Sequence, residues 1–176
     1  MKPYLLLSSV LLVFTVPGAS YTYRNYEDGD QCAGADIKKD CDDREGIPCY
    51  VAVNGPKEGH VVAGFIVMTM PRKLSKKEEA AVRAKLPDPE KKGIFGYINE
   101  VVKQRVYVSD GHRGKGIGTT LMNHAIKLGQ EKSDCLAMTL RVRQDNPGAI
   151  KLYKSLGFQH VMDDWPFFFF ALIYKH

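Results

Sequence analysis

The sequence predicts a mixed α/β domain in which helices pack on a central sheet. Seven short runs are rich in apolar, aromatic or β-branched residues, as strands are, and turn-forming residues separate them. Two later segments place apolar residues at helical spacing behind a start signal, a glycine in one and an asparagine in the other. The chain has 176 residues, 44% hydrophobic and 26% charged, which is typical of one globular domain.

The first nineteen residues differ from the rest. Lys2 is followed by an apolar run over 4–16 and by small residues over 17–20, the pattern of a secretory signal peptide. We therefore predict a signal peptide over 1–19, cleaved near 18–20, and a domain over 20–176. Two alternatives are a first strand or helix of the fold over 4–16 and a membrane anchor. The apolar run is shorter than the roughly 20 residues that a spanning helix needs.

Charge and cysteine content limit the class of partner. The formal charge of +5 suits a phosphate-bearing ligand but is too small to indicate a nucleic-acid surface. Cys32, Cys41 and Cys49 cluster near the predicted new N-terminus, and two of them could pair in an oxidising compartment. Spacing does not decide which two pair. The cluster has no C-x-x-C pair and no histidine, which argues against zinc.

The first half of the domain predicts three strands and two helices. The strands are expected over 21–24, 49–53 and 60–70, with a turn at 54–56 that makes the last two a hairpin. The acidic stretch 27–46 predicts a short, poorly formed helix. Ser75 and Glu78 have the spacing of a capping box and predict a helix of about three turns, ended by Pro87 and Pro89.

The second half alternates strands and helices. Strands are expected over 96–108, 135–142, 158–161 and 167–174, and the four consecutive phenylalanines at 167–170 predict that the last strand is buried on both faces. A helix is expected from Gly116 to near Gly129. A second helix is expected behind Asn146, with Pro147 in its first turn and Gly157 as its terminator.

The segment 106–118 predicts an anion site. A strand breaks into glycines and opens a helix, whose first backbone N–H groups lack intrahelical acceptors and attract phosphate. The Walker A pattern fails, because Ser109 and Gly116 stand where it needs glycine and serine or threonine. The dinucleotide pattern G-x-G-x-x-G also fails, because Thr119 replaces its last glycine.

Two motifs together resemble the GCN5-related N-acetyltransferase (GNAT) superfamily. The first is Arg-x-x-Gly-x-Gly at 113–118, and the second is Asn-x-x-Ala-x-x-Leu-Tyr-x-x-x-Gly-Phe at 146–158. The resemblance covers roughly 21–176. It implies a GNAT-type mixed, mostly antiparallel central sheet of about six or seven strands flanked by helices, and an acyl-CoA donor whose pyrophosphate lies on the glycine-rich segment.

The resemblance also assigns site residues. Backbone groups of the fourth strand would hold the pantetheine and thioester at Val106, Tyr107 and Val108. The pyrophosphate would bind the backbone of Arg113, Gly114, Lys115, Gly116, Ile117 and Gly118. Tyr153 matches the tyrosine that protonates the CoA sulfur in many members, with plain packing as the alternative. Asn146 matches a residue that often contacts the cofactor or a bound water.

The general base is less defined. Lys103, Gln104 and Arg105 occupy the neighbourhood in which many relatives carry a glutamate. Glu100 lies earlier on the same run and could act through water, the alternative being a solvated carboxylate. Family members often work without a dedicated base. His112 is expected at the surface.

The GNAT resemblance implies an acetyl-CoA-dependent N-acetyltransferase that acts on a primary amine, and the predicted signal peptide places it in the secretory pathway. No metal is expected, and no stable membrane span after leader removal. The alternative is a secreted GNAT-fold binding protein that has lost catalysis; if the leader does not function, the protein is cytoplasmic. Polyamine, amino sugar, small amine and protein amine acceptors all stay open. Acidic residues near the N-terminus, together with Asp163 and Asp164, lie where the family often binds acceptors and favour a cationic amine; the alternative is that they are only solvated. The oligomeric state is open, with a homodimer as one option.

Overall fold

The computed structural model describes residues 14–16, 19–42, 46–56, 59–98 and 106–176. These residues form eleven strands and four α-helices. The strands are β1 (Phe14–Val16), β2 (Ala19–Asn25), β3 (Gln31–Cys32), β4 (Tyr50–Asn54), β5 (Val61–Ile66), β6 (Met68–Thr69), β7 (Ile94–Ile98), β8 (Val106–Val108), β9 (Cys135–Arg143), β10 (Gln159–Asp164) and β11 (Phe167–Ile173). The helices are α1 (Ile37–Cys41), α2 (Lys76–Arg83), α3 (Ile117–Gln130) and α4 (Pro147–Ser155).

The strands form two sheets with mixed pairing. The first has the order β1-β2-β4-β5-β3, and β8 also pairs with β5; the second has the order β10-β11-β9-β7-β6. Among the described strands, only β3 with β5 and β7 with β9 run parallel. The predicted fold class, a mixed and mostly antiparallel sheet with flanking helices, is confirmed.

The predicted third strand is divided, and the predicted fourth strand, whose residues 99–105 lie outside the described part of the chain, contributes to both sheets. The strand expected over 60–70 is interrupted at Val67, which separates β5 from β6. In the run expected over 96–108, β7 ends at Ile98 and β8 begins at Val106. β5 pairs with β8 and β6 pairs with β7, so the same two stretches of chain meet once in each sheet. β5 and β8 therefore belong to the first sheet, and β6 and β7 belong to the second.

Alternating side chains divide the core between the two faces of the sheets. In β4, Ala52 belongs to a cluster under α3 and α4, whereas Val51 and Val53 belong to a cluster on the opposite face that includes α1. The third cluster packs α2 against the second sheet. In β11, Phe168 and Phe170 face α3 and α4 while Phe169 faces α2, so the strand packs on both faces.

Three of the four helices start at a side-chain cap. The Asp36 carboxylate accepts from Lys39 N–H, and the Asn146 side chain accepts from Ala149 N–H. The predicted capping box of α2 is present: Ser75 N–H donates to the Glu78 carboxylate at 2.8 Å, and Glu78 N–H donates to Ser75 Oγ at 3.3 Å. At eight residues, α2 has just over two turns and is shorter than expected.

The N-terminal region contains a short strand and a disulfide. β1 lies within the predicted signal peptide and pairs antiparallel with β2; residues 1–13, 17 and 18 of that peptide lie outside the described part of the chain. The disulfide joins Cys41, the last residue of α1, to Cys49, while Cys32 and Cys135 are buried free thiols. No helix in the described segments has the length and apolarity needed to cross a membrane.

Candidate active site

The candidate site begins at β8. One edge of this strand pairs with β5, and the other edge points away from β5. Val108, Tyr107 and Val106 lie opposite Gly64, Phe65 and Ile66 of β5. Ser109 N–H donates to Ala63 O at 2.9 Å, and hydrogen-bonded pairs alternate along an antiparallel ladder. Tyr107 therefore directs its backbone groups to β5, whereas Val106 and Val108 direct theirs away from it.

The side chain of Tyr107 lies on the face opposite α3. Its hydroxyl donates to Ala33 O at 2.6 Å, and burial raises the pKa of the phenol. Of the three residues predicted to hold the pantetheine, Val106 and Val108 therefore have backbone groups that point away from β5, whereas the backbone groups of Tyr107 are used in pairing with β5.

Residues 109–116, the glycine loop, lead from β8 to α3. A 3₁₀ turn occupies Asp110–His112, and the Arg113 guanidinium lies 2.8 Å from the Asp110 carboxylate. Arg113 Nε also donates to Val108 O at 3.2 Å, which ties the loop back to β8. Gly114 and Gly116 have φ of 76° and 79°, the left-handed region that favours glycine. A Cβ added at either glycine would meet nothing within 4 Å, so the space above the loop is open.

The N-terminus of α3 differs chemically from the other helix starts. Gly116 is its N-cap residue, and no side chain caps it. The backbone N–H groups of the first turn therefore keep their hydrogen-bonding capacity for an external acceptor, and the helix dipole adds a partial positive charge. Lys115 is exposed beside them. This combination fits a bound phosphate group.

The start of α3 lies against both β8 and α4. Ile117 is fully buried and anchors the first turn in the core. A Cβ built on Gly118 would lie 3.7 Å from a Leu152 methyl carbon and 4.0 Å from a Val108 methyl carbon. β8 and the two motifs, at the start of α3 and on α4, thus converge at one point.

The two predicted residues of α4 lie in different environments. Tyr153 is 4% exposed, and its ring centroid lies 6.1 Å from that of Phe158. Asn146 is exposed and uses its side-chain oxygen to cap α4. The proposed base, Glu100, lies outside the described residues. The described part of the chain contains no group of His, Cys, Asp or Glu side chains arranged to hold a metal ion.

One residue of this region was not recognised from sequence. His112, expected at the surface, is half-buried, and its Nδ1 lies 2.7 Å from the Tyr21 hydroxyl of β2. The two residues are 91 positions apart. A local sequence pattern cannot predict a contact over this distance. The sequence indicates only that His112 stands two residues before Gly114, a glycine of the predicted anion site.

Comparison with known proteins agrees with the geometry. The model of the acetyltransferase (GNAT) family matches residues 18–158. The chain belongs to this family. The acyltransferase class predicted from the two motifs is therefore confirmed at the level of the GNAT family.

Two proteins of known structure have a similar fold. An NAA60 of Arabidopsis thaliana, solved in complex with acetyl-CoA, is 20% identical with a TM-score of 0.56; the match covers 74% of this chain and 78% of that one. A chain of a NatC complex bound to Gag peptide and CoA is 20% identical with a TM-score of 0.58, over 88% and 99% of the two chains.

A curated GNAT relative matches a smaller part. An uncharacterized N-acetyltransferase of Methanocaldococcus jannaschii is 39% identical over 62 residues. The match covers 34% of this chain and 27% of that protein, so the two share only a segment at this similarity.

Proposed function

We propose that this GNAT protein is an acetyl-CoA-dependent N-acetyltransferase that transfers an acetyl group to a primary amine. The observation that carries the proposal is the uncapped start of α3, which follows the open, left-handed glycines Gly114 and Gly116 and lies beside the outward-facing backbone of β8. A helix start of this kind binds phosphate, and the adjacent strand edge supplies the extended contacts that a pantetheine arm requires.

The donor would be held by two sets of backbone groups. The N–H groups at the start of α3 bind the pyrophosphate, and the exposed side chains of Arg113 and Lys115 supply positive charge. Val106 and Val108 hold the amide groups of the pantetheine by strand-like hydrogen bonds. Because Gly118, Val108 and Leu152 converge, the two sets of contacts act on one extended ligand.

The reaction requires a nucleophile, a polarised carbonyl and a proton for the leaving group. The neutral amine nitrogen attacks the thioester carbonyl carbon, the C–S bond breaks, and the nitrogen loses a proton. Tyr153 is the proposed donor of a proton to the departing thiolate. Glu100, acting through water, is the proposed acceptor of the amine proton. Asp163, near the end of β10 with its side chain 72% exposed, favours a cationic acceptor before it is deprotonated, whereas Asp164 pairs with Arg141 at 2.8 Å.

Calorimetric titration of acetyl-CoA into the full chain tests donor binding. We expect saturable binding in the micromolar range and its loss in Gly116→Glu, which places a carboxylate where the pyrophosphate would bind. Gly46→Glu is the matched control, because Gly46 also has positive φ, 90°, and open space around it but lies between α1 and β4. Gly46→Glu should bind normally; no binding by the wild-type chain would overturn the proposal.

Measurement of free CoA tests catalysis. The wild-type chain is incubated with acetyl-CoA and a panel of polyamines, amino sugars, small amines and peptides with free amines. Release of CoA that depends on an added amine supports transfer. Donor binding without release over the whole panel would instead support the alternative, a GNAT-fold binding protein that has lost catalysis.

We also propose that residues 1–19 direct the protein into the secretory pathway. The charged and apolar start of the chain supports this, as does the Cys41–Cys49 disulfide, because disulfides persist in oxidising compartments. A C-terminally tagged full chain should have a mature N-terminus near 18–20 by intact mass, and deletion of 1–19 should return the tag to the cytosol. If the full chain keeps its first residues and the tag of the full chain is found in the cytosol, the proposal is contradicted and the cytoplasmic alternative is supported.

A further inference from the structure

A hydrogen bond joins the glycine loop to a strand far from it in sequence. The Tyr21 hydroxyl lies 2.7 Å from Nδ1 of His112, and the two rings meet nearly edge to face, with centroids 5.6 Å apart and an interplanar angle of 78°. Tyr21 is 3% exposed and belongs to the core cluster that also contains Ile117. The phenol is therefore held firmly on β2, and the imidazole belongs to the loop.

The position of His112 makes this contact informative. It closes the 3₁₀ turn and precedes Gly114 by two residues. The base of the loop is fixed to β5, because Ser109 N–H and Ser109 Oγ both donate to Ala63 O. The bonds of Arg113 go to Asp110 and Val108 and are local. The Tyr21 bond thus fixes the outer part of the loop to β2.

The glycines of the loop give the Tyr21–His112 hydrogen bond an energetic effect on ligand binding. Gly111, Gly114 and Gly116 give the backbone many alternative conformations, and ordering it on binding costs conformational entropy. A contact that orders the loop before the ligand arrives reduces that cost and raises affinity without touching the ligand.

We propose that Tyr21 and His112 are a positioning pair that holds the glycine loop in the conformation that binds the pyrophosphate of acetyl-CoA. The inference rests on the proposed function for the identity of the ligand, but the ordering of the loop is a property of the free protein. Neither side chain is a catalytic residue. Their loss should weaken donor binding and raise the KM for acetyl-CoA while leaving kcat unchanged.

The test compares four full-length variants by calorimetric titration with acetyl-CoA. Tyr21→Phe and His112→Ala should each raise Kd about fivefold, the usual effect of one lost hydrogen bond. His112→Asn keeps a hydrogen-bonding atom near the position of Nδ1 and should restore most of the affinity. The double variant, Tyr21→Phe with His112→Ala, should be no weaker than either single variant, because both remove the same interaction.

Hydrogen exchange of the free protein supplies a readout that does not depend on the ligand. Tyr21→Phe and His112→Ala should speed exchange of the His112 and Arg113 amides, which donate to Ser109 O and Asp110 O in the 3₁₀ turn. The control is Tyr174→Phe, which removes another buried phenol of the same core cluster, one that donates to Ile126 O at 2.9 Å. It should leave exchange of the His112 and Arg113 amides and the Kd unchanged.

The outcomes separate this inference from the proposed function. If the wild-type chain does not bind acetyl-CoA but both variants loosen the loop, the donor assignment fails and the loop-ordering role stands. If the wild-type chain binds and both variants bind equally well, the positioning role is overturned. Additive losses in the double variant would also overturn it, because independent effects do not arise from one shared bond.

Discussion

The phenol of Tyr153 lies in the core of the domain beside Phe158, on the helix that packs against the start of α3. Tyr153→Phe removes the hydroxyl and keeps the ring, so packing and donor binding should be retained. If the hydroxyl protonates the leaving thiolate, kcat should fall about a hundredfold, a typical contribution of general acid catalysis. Steady-state kinetics and acetyl-CoA titration of the same preparation measure the two effects.

Tyr174→Phe is the matched control for this experiment, because it removes a buried hydroxyl of the same core cluster at a different helix. Its kcat should equal that of the wild-type chain. Unchanged turnover in Tyr153→Phe would show that the residue only packs.

Asp30 forms a buried polar network at the other end of β2. Its carboxylate, whose side chain is 0% exposed, accepts from both terminal nitrogens of Arg24 at 2.7 and 2.8 Å and lies 3.1 Å from His60 Nδ1. Asp30→Asn removes the carboxylate that binds both terminal nitrogens of the buried Arg24 guanidinium, whereas the Glu27 carboxylate lies 3.7 Å from Arg24 Nε. We expect a loss of about 3–5 kcal/mol in the free energy of unfolding, measured by urea denaturation at pH 7.

Asp163→Asn is the control for Asp30→Asn, because Asp163 also pairs with a histidine at 3.1 Å but its side chain is 72% exposed. It should change stability by less than about 0.5 kcal/mol. Similar losses in the two variants would contradict the role assigned to burial.

At the scale of elements, the disulfide fixes the entry to β4. Cys41 ends α1, Cys49 precedes β4, and the two are eight residues apart. Closing a loop of this size stabilises the folded state by about 2–3 kcal/mol in the chain-entropy model. Cys41→Ala with Cys49→Ala should lose that amount in thermal or urea unfolding.

Reduction provides a second arm of the same test. Dithiothreitol should lower the stability of the wild-type chain toward that of the double variant and leave the double variant unchanged. Stability of the wild-type chain that is insensitive to reductant would show that the bond contributes nothing under those conditions.

The helix starts show which elements could be predicted. Ser75 with Glu78 and Asn146 with Pro147 carry their signals within four residues, and the structure places caps at both. The start of α3 was also predicted from adjacent residues, because glycines that permit positive φ stand there. The lengths of the strands are less predictable. The break at Val67 between β5 and β6, and the membership of β7 and β8 in different sheets, depend on which strand each segment pairs with.

The whole molecule should lose stability in acid through its buried carboxylates. Burial opposes ionisation of Asp30, but the hydrogen bonds from Arg24, from the Glu27 N–H and from His60 together hold the pKa of its carboxyl below the ordinary value. Burial likewise opposes ionisation of Glu78, and the Ser75 and Arg141 contacts lower its pKa. A lowered folded pKa gives stabilisation that is complete above the unfolded pKa, about pH 4, and lost as pH falls through the folded value.

Urea midpoints measured from pH 7 to pH 2.5 test this dependence. The wild-type chain should be nearly constant down to about pH 5 and then fall steeply. Asp30→Asn should start lower and fall less, because the Asp30 contribution is already absent. Parallel curves for the two proteins would contradict the assignment.

The sequence by itself determined the class of fold, the family and the two motifs of the candidate site, because period-two and helical patterns, caps and positive-φ glycines act over a few residues. Tertiary structure decided the rest. It selected Cys41 and Cys49 as the pair, separated β8 from β7, turned the Val106 and Val108 backbone groups away from β5, and brought His112 to Tyr21. These features depend on contacts between residues that are distant in the chain. Local sequence patterns do not distinguish among the possible pairing partners.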